Sequence, residues 1–236
     1  MARVRRVTST RAGGRSRGAY STFNLSAGVG DDPAAVAANR TRLTAELGVP
    51  VVFLQQVHGT RVVVVDSPPG PDAPDHPDAD ALVTAQPAIG LAVLAADCVP
   101  VLLADPRAGV VAAAHAGRVG AAQGVLPAVV AAMEELGARS GAIEVLLGPA
   151  VCGSCYEVPA AMQAEVDARL PGSAVRTRNG SPGLDLRAGL YHQLVELKIS
   201  RVGADPRCTM EDRTLYSHRR DGRTGRQAAI TWLDPS

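Results

Sequence analysis

The chain has 236 residues, 46% of them hydrophobic and 20% charged, with a formal net charge of +1. This is the composition of a soluble globular protein with enough chain for a substantial core, and it predicts a single domain over 1–236. No apolar run reaches the roughly 18 residues of a membrane span, and a charge so near zero gives no footprint for a nucleic-acid partner, although six arginines fall in the first 17 residues. The basic start is followed by no apolar stretch, so the expected location is cytoplasmic. There, Cys98, Cys152, Cys155 and Cys208 would remain thiols, since four irregularly placed cysteines make no disulfide framework.

In chain order, Asp32 and Pro33 read as the N-cap and first residue of a helix. Val36, Leu43 and Leu47 fall on one face, and Gly48 ends the pattern. VVFLQQV and RVVVVD flank His58-Gly59-Thr60, predicting two strands around a tight turn with His58 at its corner. Residues 68–80, rich in Pro and Asp, read as a loop. GLAVLA, VPVLLAD and GVVAAA read as strands buried on both faces. Val125, Leu126, Val129, Val130, Met133 and Leu136 repeat at helical spacing up to Gly137. IEVLL predicts a further strand, and PAAMQAEVDARL and RAGLYHQLVELKIS two further helices. The mixture is α+β or α/β, and periodicity does not fix the strand order.

Two side chains suited to a metal, Cys98 and His115, bracket the apolar segment 95–117. Pro106 to Gly109 supply turn residues, so the flanking runs form an antiparallel hairpin. If Asp105 faces Val110, Cys98 and His115 are offset by two positions, about 7 Å along the strand, at the open end of the hairpin. The alternative is a small buried cysteine and a histidine that caps the next helix. Asp97 beside Cys98 could orient a ligand or carry a proton, and the helix start after His115 favours an anion. Local sequence offers no third ligand.

Elsewhere, Cys152-Gly153-Ser154-Cys155 fits a redox or structural-metal C-x-x-C, with Cys208 and His218 as the remaining ligands. Pro149 and Pro159 make a plain loop equally compatible. RRDGRTGR, residues 219–226, reads as a solvated turn in preference to a substrate clamp. His76 and His192 read as structural or exposed.

The blocks TSTRAGGRSRGAYSTFNLS, FLQQVHGTRV, DADALVT, LAADCVPVLLAD, AAAHAG, LGPAVCGSCYEV and SHRRDGRTGR run over nearly the whole chain. Together they resemble the bacterial multifunctional purine nucleoside phosphorylases, also labelled laccase-domain, polyphenol oxidase or peptidoglycan-editing proteins. The resemblance implies an α+β fold with a layered α/β/β/α arrangement and mixed sheets. It also implies a zinc site formed by His58, Cys98 and His115. Two imidazoles and a thiolate suit zinc and leave a fourth position open, and copper could bind adventitiously. The implied partners are purine nucleosides and phosphate. The implied reactions are phosphorolysis of adenosine, inosine and methylthioadenosine, with zinc-dependent deamination of adenosine alongside.

A multicopper oxidase needs a trinuclear cluster besides its mononuclear copper, and the five histidines cannot furnish both. Cys98 is expected at the catalytic centre and Asp97 as its acid–base; Arg11 and Arg118 are expected at the phosphate. The family's HAGWRG stands here as HAGRVG, which leaves the arginine role at Arg118 open, and its usual tyrosine in the terminal block is His218. Two alternatives remain: a metal-free Cys/His hydrolase or deamidase built on Cys98 and His115, and an enzyme editing peptidoglycan precursors.

Overall fold

The alanine- and valine-rich runs become strands, and their burial sorts them into two stacked sheets. The computed structural model describes residues 2–70 and 74–235; of the expected 68–80 loop, 71–73 lie outside the described residues. One sheet has the order β1-β12-β5-β2, from Val4–Thr8, Gln227–Leu233, Gly90–Ala95 and Val51–Val52. The other has the order β11-β8-β6-β7-β4-β3, from Arg201–Ala204, Glu144–Leu147, Val99–Asp105, Val110–Ala116, Ala81–Thr84 and Val62–Val64. A separate hairpin joins β9 (Ala174–Arg176) to β10 (Pro182–Leu184). Both large sheets are mixed: β2–β5, β3–β4 and β8–β11 pair parallel and their other pairs antiparallel.

Leu82, Leu91, Val93, Leu102, Val111 and Ala113 fill the space between the sheets, each essentially inaccessible to water. Burying side chains of this size stabilises by about 1.5–3 kcal/mol each for the larger ones. Outside the smaller sheet lies α1 (Pro33–Leu47), whose Leu43 joins a buried cluster with Phe23, Phe53 and Trp232. Outside the larger sheet lie α2 (Arg118–Gln123), α3 (Val125–Glu135), α4 (Ala160–Arg169) and α5 (Leu186–Glu196), which bury Ala121, Val129, Val166 and Leu190 against it. The layering is therefore helix, sheet, sheet, helix. A short α6 (His218–Asp221) precedes β12.

The expected boundaries of α1 have a direct cause: Asp32 accepts the Ala34 N–H at 3.0 Å, and Gly48 closes the helix at φ +70°, its N–H on Thr44. The β6–β7 hairpin has the expected register, with Asp105 opposite Val110 and Pro100 opposite His115.

The hairpin expected around His58 does not form. Val51–Val52 pairs with β5 in one sheet, and Val62–Val64 pairs with β4 in the other. The intervening segment crosses between layers, with the Gln56 amide clasping both backbone groups of Leu94 at 2.7 and 2.8 Å. A second crossing follows β5, where residues 96–98 carry the chain from the smaller sheet into β6. Strands β1 and β12 lie outside the strands expected from the sequence; five register pairs join them, tying the two ends of the chain together.

Candidate metal centre

Each of the two crossings delivers one side chain to the same point, and β7 delivers a third. His58 comes from the first crossing, Cys98 from the second, and His115 from the end of β7. Their ligand atoms all lie within 4.8 Å of one another. Cys98 Sγ is 3.8 Å from His58 Nε2, and the two imidazoles meet edge to face with centroids 4.8 Å apart.

Asp80, completely buried just before β4, organises this arrangement. Its carboxylate accepts the backbone N–H groups of Val57, His58 and Gly59 at 3.2, 2.9 and 2.6 Å, which fixes the turn where His58 adopts φ +62°. It also accepts the Nδ1–H of His115 at 2.8 Å, while its carbonyl accepts the His115 backbone N–H at 2.8 Å. The bond at Nδ1 leaves His115 Nε2 as the free nitrogen. Burial alone would raise the Asp80 pKa, but His115 and the surrounding N–H donors hold it below the usual carboxylate range.

Cys98 follows Asp97, a non-glycine residue at φ +99°, and so stands at a strained bend at the start of β6. Burial disfavours its thiolate, yet the charge of His115 and hydrogen bonds to both histidines bring the thiol down to about 6. The same coupling raises His115: burial opposes its charged form, but the Cys98 thiolate and Asp80 outweigh burial. Gly117 is required beside them, because a Cβ there would come within 2.6 Å of His58 Cδ2 and 3.1 Å of Cys98 Sγ.

These residues fit a zinc ion. Zn–S and Zn–N bonds of about 2.3 and 2.0–2.1 Å put a sulfur and a nitrogen donor roughly 3.5–3.6 Å apart in a tetrahedron, close to the 3.8 Å between Cys98 Sγ and His58 Nε2. Three protein donors leave one position open, and a buried carboxylate orients one imidazole through its far nitrogen.

The three donors stand in the wall of a cavity of about 660 Å³. Its other walls include Ser26–Val29, Gln56, the apolar Leu94–Ala96 segment, His218 and Arg226. His218 donates from Nδ1 to the Gly222 carbonyl at 2.6 Å, leaving Nε2 uncommitted. Arg226 is oriented by the Thr224 and Gly225 carbonyls at 2.9 and 3.0 Å. Burial lowers its pKa, opposed by Cys98 and Asp97.

Three other expected residues stand in different places. Asp97 has both carboxylate oxygens taken, one by the Thr209 hydroxyl and one by the Arg219 backbone N–H, each at 2.6 Å, so it is an anchor and not a free acid–base. Arg11 lies 5.0 Å over the Tyr216 ring and donates to the Ser21 carbonyl at 3.0 Å. Arg118 opens α2. Neither arginine is among the residues lining the cavity. The 219–226 segment is less solvated than expected: Arg220 donates to the Thr209 and Leu215 carbonyls at 2.6 and 2.8 Å, and Arg226 reaches the cavity. Asp80 and Arg226 carry no signal in the sequence that marks them for the site, and His218, expected as a ligand for the C-x-x-C, stands instead on the cavity beside the His58–Cys98–His115 centre.

Residues 5–234 match the family model described as multi-copper polyphenol oxidoreductase laccase. A purine nucleoside phosphorylase of Mycobacterium tuberculosis is 57% identical over 235 residues, covering 98% of this chain and 93% of its own. One from Corynebacterium glutamicum is 52% identical, covering 98% and 94%. Among solved structures, YlmD from Geobacillus stearothermophilus superposes with a TM-score of 0.91 at 32% identity, covering 98% of this chain and 92% of that one. The Neisseria meningitidis protein NMB0706 superposes at 0.88 and 37% identity, covering 98% and 95%.

Proposed function

The chain belongs to the multi-copper polyphenol oxidoreductase laccase family, and from that premise we propose that it is a zinc-dependent purine nucleoside phosphorylase. Its substrates would be adenosine, inosine and methylthioadenosine with phosphate, and it would deaminate adenosine alongside. The observation that carries this reading is the convergence of His58, Cys98 and His115 in the wall of a cavity large enough for a nucleoside. The name shared by relatives at 52–57% identity supports the reaction class.

His58, Cys98 and His115 would hold the zinc, which when bound supplies a Lewis acid with one open position. Arg226 offers phosphate a planar, two-pronged donor on the same cavity. The Leu94–Ala96 segment gives the purine an apolar wall. In phosphorolysis a phosphate oxygen bonds to the anomeric carbon as the C1′–N9 bond breaks, and the departing purine needs a proton. As an imidazolium, His218 on the cavity wall would give this proton from Nε2 while its Nδ1–H stays bonded to the Gly222 carbonyl. Asp97 acts as a positioning residue by holding the bend that presents Cys98.

The test is adenosine turnover with zinc stoichiometry measured on the same preparation. Adenine should form only when phosphate is supplied, with inosine as a separate, phosphate-independent product. Cys98→Ala should lose zinc at this centre and turnover together; a Cys98→Ala chain that keeps phosphorolytic turnover without that zinc would remove the mechanism.

A metal-free Cys/His hydrolase is the second reading, favoured by a thiol brought to about 6 beside an imidazole. Such a dyad uses one histidine, whereas this centre presents two. Fast alkylation of Cys98 in zinc-replete protein would support the hydrolase; protection by zinc would support the phosphorylase.

Among the described residues no helix is long and apolar enough to cross a membrane. All four cysteines are free, and we place the enzyme in the cytoplasm, where thiols stay reduced.

A further inference from the structure

The C-x-x-C at 152–155 does not lie alone. Cys208 and Glu211 face it, and the four ligand atoms lie within 4.8 Å of one another. Both pairs have the same construction. The Cys155 N–H bonds to the Cys152 carbonyl at 2.9 Å, and the Glu211 N–H bonds to the Cys208 carbonyl at 3.1 Å, so each turn projects its first and fourth side chains to one side. The turns are joined where Ala150 and Cys208 form a β-bridge. We propose that Cys152, Cys155, Cys208 and Glu211 hold a second divalent metal, a structural zinc, separate from the centre at His58, Cys98 and His115.

The donor set supports zinc. Three sulfurs and one carboxylate form a closed tetrahedral set of the kind that structural zinc occupies, with C-x-x-C spacing on one side. Sulfur atoms on a tetrahedral zinc sit about 3.8 Å apart, so donors already within 4.8 Å need close by only about 1 Å. The carboxylate argues against copper(I) and against an iron–sulfur cluster, which favour an all-sulfur or sulfur-rich shell.

Two sulfurs already receive donors suited to thiolates. The Cys152 backbone N–H points at Cys208 Sγ at 3.4 Å, and the Arg178 guanidinium approaches Cys155 Sγ at 3.3 Å. Arg178 also pairs with Glu211, which gathers the fourth ligand toward the sulfurs. On binding, the three thiols release three protons to solvent. Zinc then neutralises two of the four ligand charges, and Arg178 offsets a third.

The position of the cluster gives the metal a task. Val151, next to Cys152, donates its N–H to the Asp97 carbonyl at 3.0 Å, and Thr209, next to Cys208, donates its hydroxyl to the Asp97 carboxylate at 2.6 Å. A metal that locks the two turns together therefore holds two of the three groups that restrain Asp97, the third being the Arg219 N–H, and Asp97 sets the bend preceding Cys98.

This proposal does not depend on the reading of the first centre, and metal content measured on the whole chain separates the two. Protein purified under reducing conditions should carry two zinc ions per chain, and both Cys98→Ala and the double variant Cys152→Ser/Cys155→Ser should carry one. Cobalt loaded into Cys98→Ala should show thiolate-to-cobalt charge transfer at the intensity of three sulfurs, which a His₂Cys centre cannot produce. This measurement stands even where the double variant fails to fold. Where the double variant folds, a chelator should remove its remaining zinc faster than it removes the corresponding ion from the wild type.

A Cys98→Ala chain that binds neither zinc nor cobalt overturns the proposal. So does a Cys152–Cys155 or Cys152–Cys208 disulfide found by mass mapping of protein never exposed to oxidant. One zinc per wild-type chain that survives Cys98→Ala would uphold the second site and sink the first.

Discussion

Asp80 holds both histidines of the candidate centre at once, one by its ring and one by its backbone: its carboxylate accepts the Nδ1–H of His115 at 2.8 Å and the backbone N–H of His58 at 2.9 Å. Replacing one oxygen by an amide in Asp80→Asn turns a donor toward His115 Nδ1 and favours the tautomer with its hydrogen on Nε2, where a metal would bind. Zinc affinity at this centre should fall about 10- to 100-fold, read by competition with a chelator. Asp80→Ala strips partners from buried N–H donors as well and should cost about 3–5 kcal/mol of stability in urea denaturation.

Gly117→Ala should separate metal binding from folding. The added methyl meets His58 and Cys98 at the donor atoms, yet Gly117 has φ −73°, which alanine adopts freely. The expected result is loss of zinc at this centre with about 1–3 kcal/mol of overpacking strain, measured by metal analysis and urea denaturation. A variant that keeps this zinc at wild-type affinity would contradict the close approach of the three side chains.

The arginines divide by position. Arg226→Ala should raise the KM for phosphate roughly 10- to 100-fold, the effect of losing about 1.5–3 kcal/mol of charged hydrogen bonding. Arg118→Ala, at a residue outside the cavity wall, should leave that KM within about twofold. Steady-state kinetics in phosphate decides between them.

Asp105, at the turn of the β6–β7 hairpin, is 1% exposed and accepts the N–H groups of Arg107, Ala108 and Arg139 at 2.9, 3.1 and 3.0 Å. Burial would raise its pKa, but these three donors bring it below the ordinary carboxylate range. A group lowered on folding contributes stability that is complete above its unfolded value, about 3.9, and is lost as pH falls through the lower folded value. Asp105→Asn should therefore destabilise by about 1–3 kcal/mol at pH 7, and the gap from wild type should narrow below about pH 4. Urea midpoints taken from pH 7 to 3 test this.

The hairpin register could be read from the sequence because the turn residues at 106–109 fix it, and with it came the approach of Cys98 to His115. The same reasoning failed around His58, since alternation within a strand is local and carries no mark of which sheet the strand joins. Both arms looked alike, yet the chain changes layer between them. Asp80 was hidden for a related reason. It ends a run containing other aspartates, and only burial beside β7 distinguishes it from Asp75, which pairs with Arg40 at 2.6 Å. Arg226 sits in a segment whose Gly and Arg content matches a solvated turn; what draws it inward is the pairing of the following strand, β12, with β5. The thiol cluster needed Cys208, distant in the chain, and Glu211, which has no spacing signature of its own.

The path of the chain between layers has a mechanical consequence. His58 and Cys98 stand on the two spans that bridge the stacked sheets, while His115 is rooted in one of them. An ion gripping all three would work as a rivet through the sandwich: prying the halves apart would stretch its coordination, and losing it would loosen the seam. Heat resistance should therefore climb with free zinc by mass action, and strain imposed on the seam from outside would be felt as weaker grip on the ion.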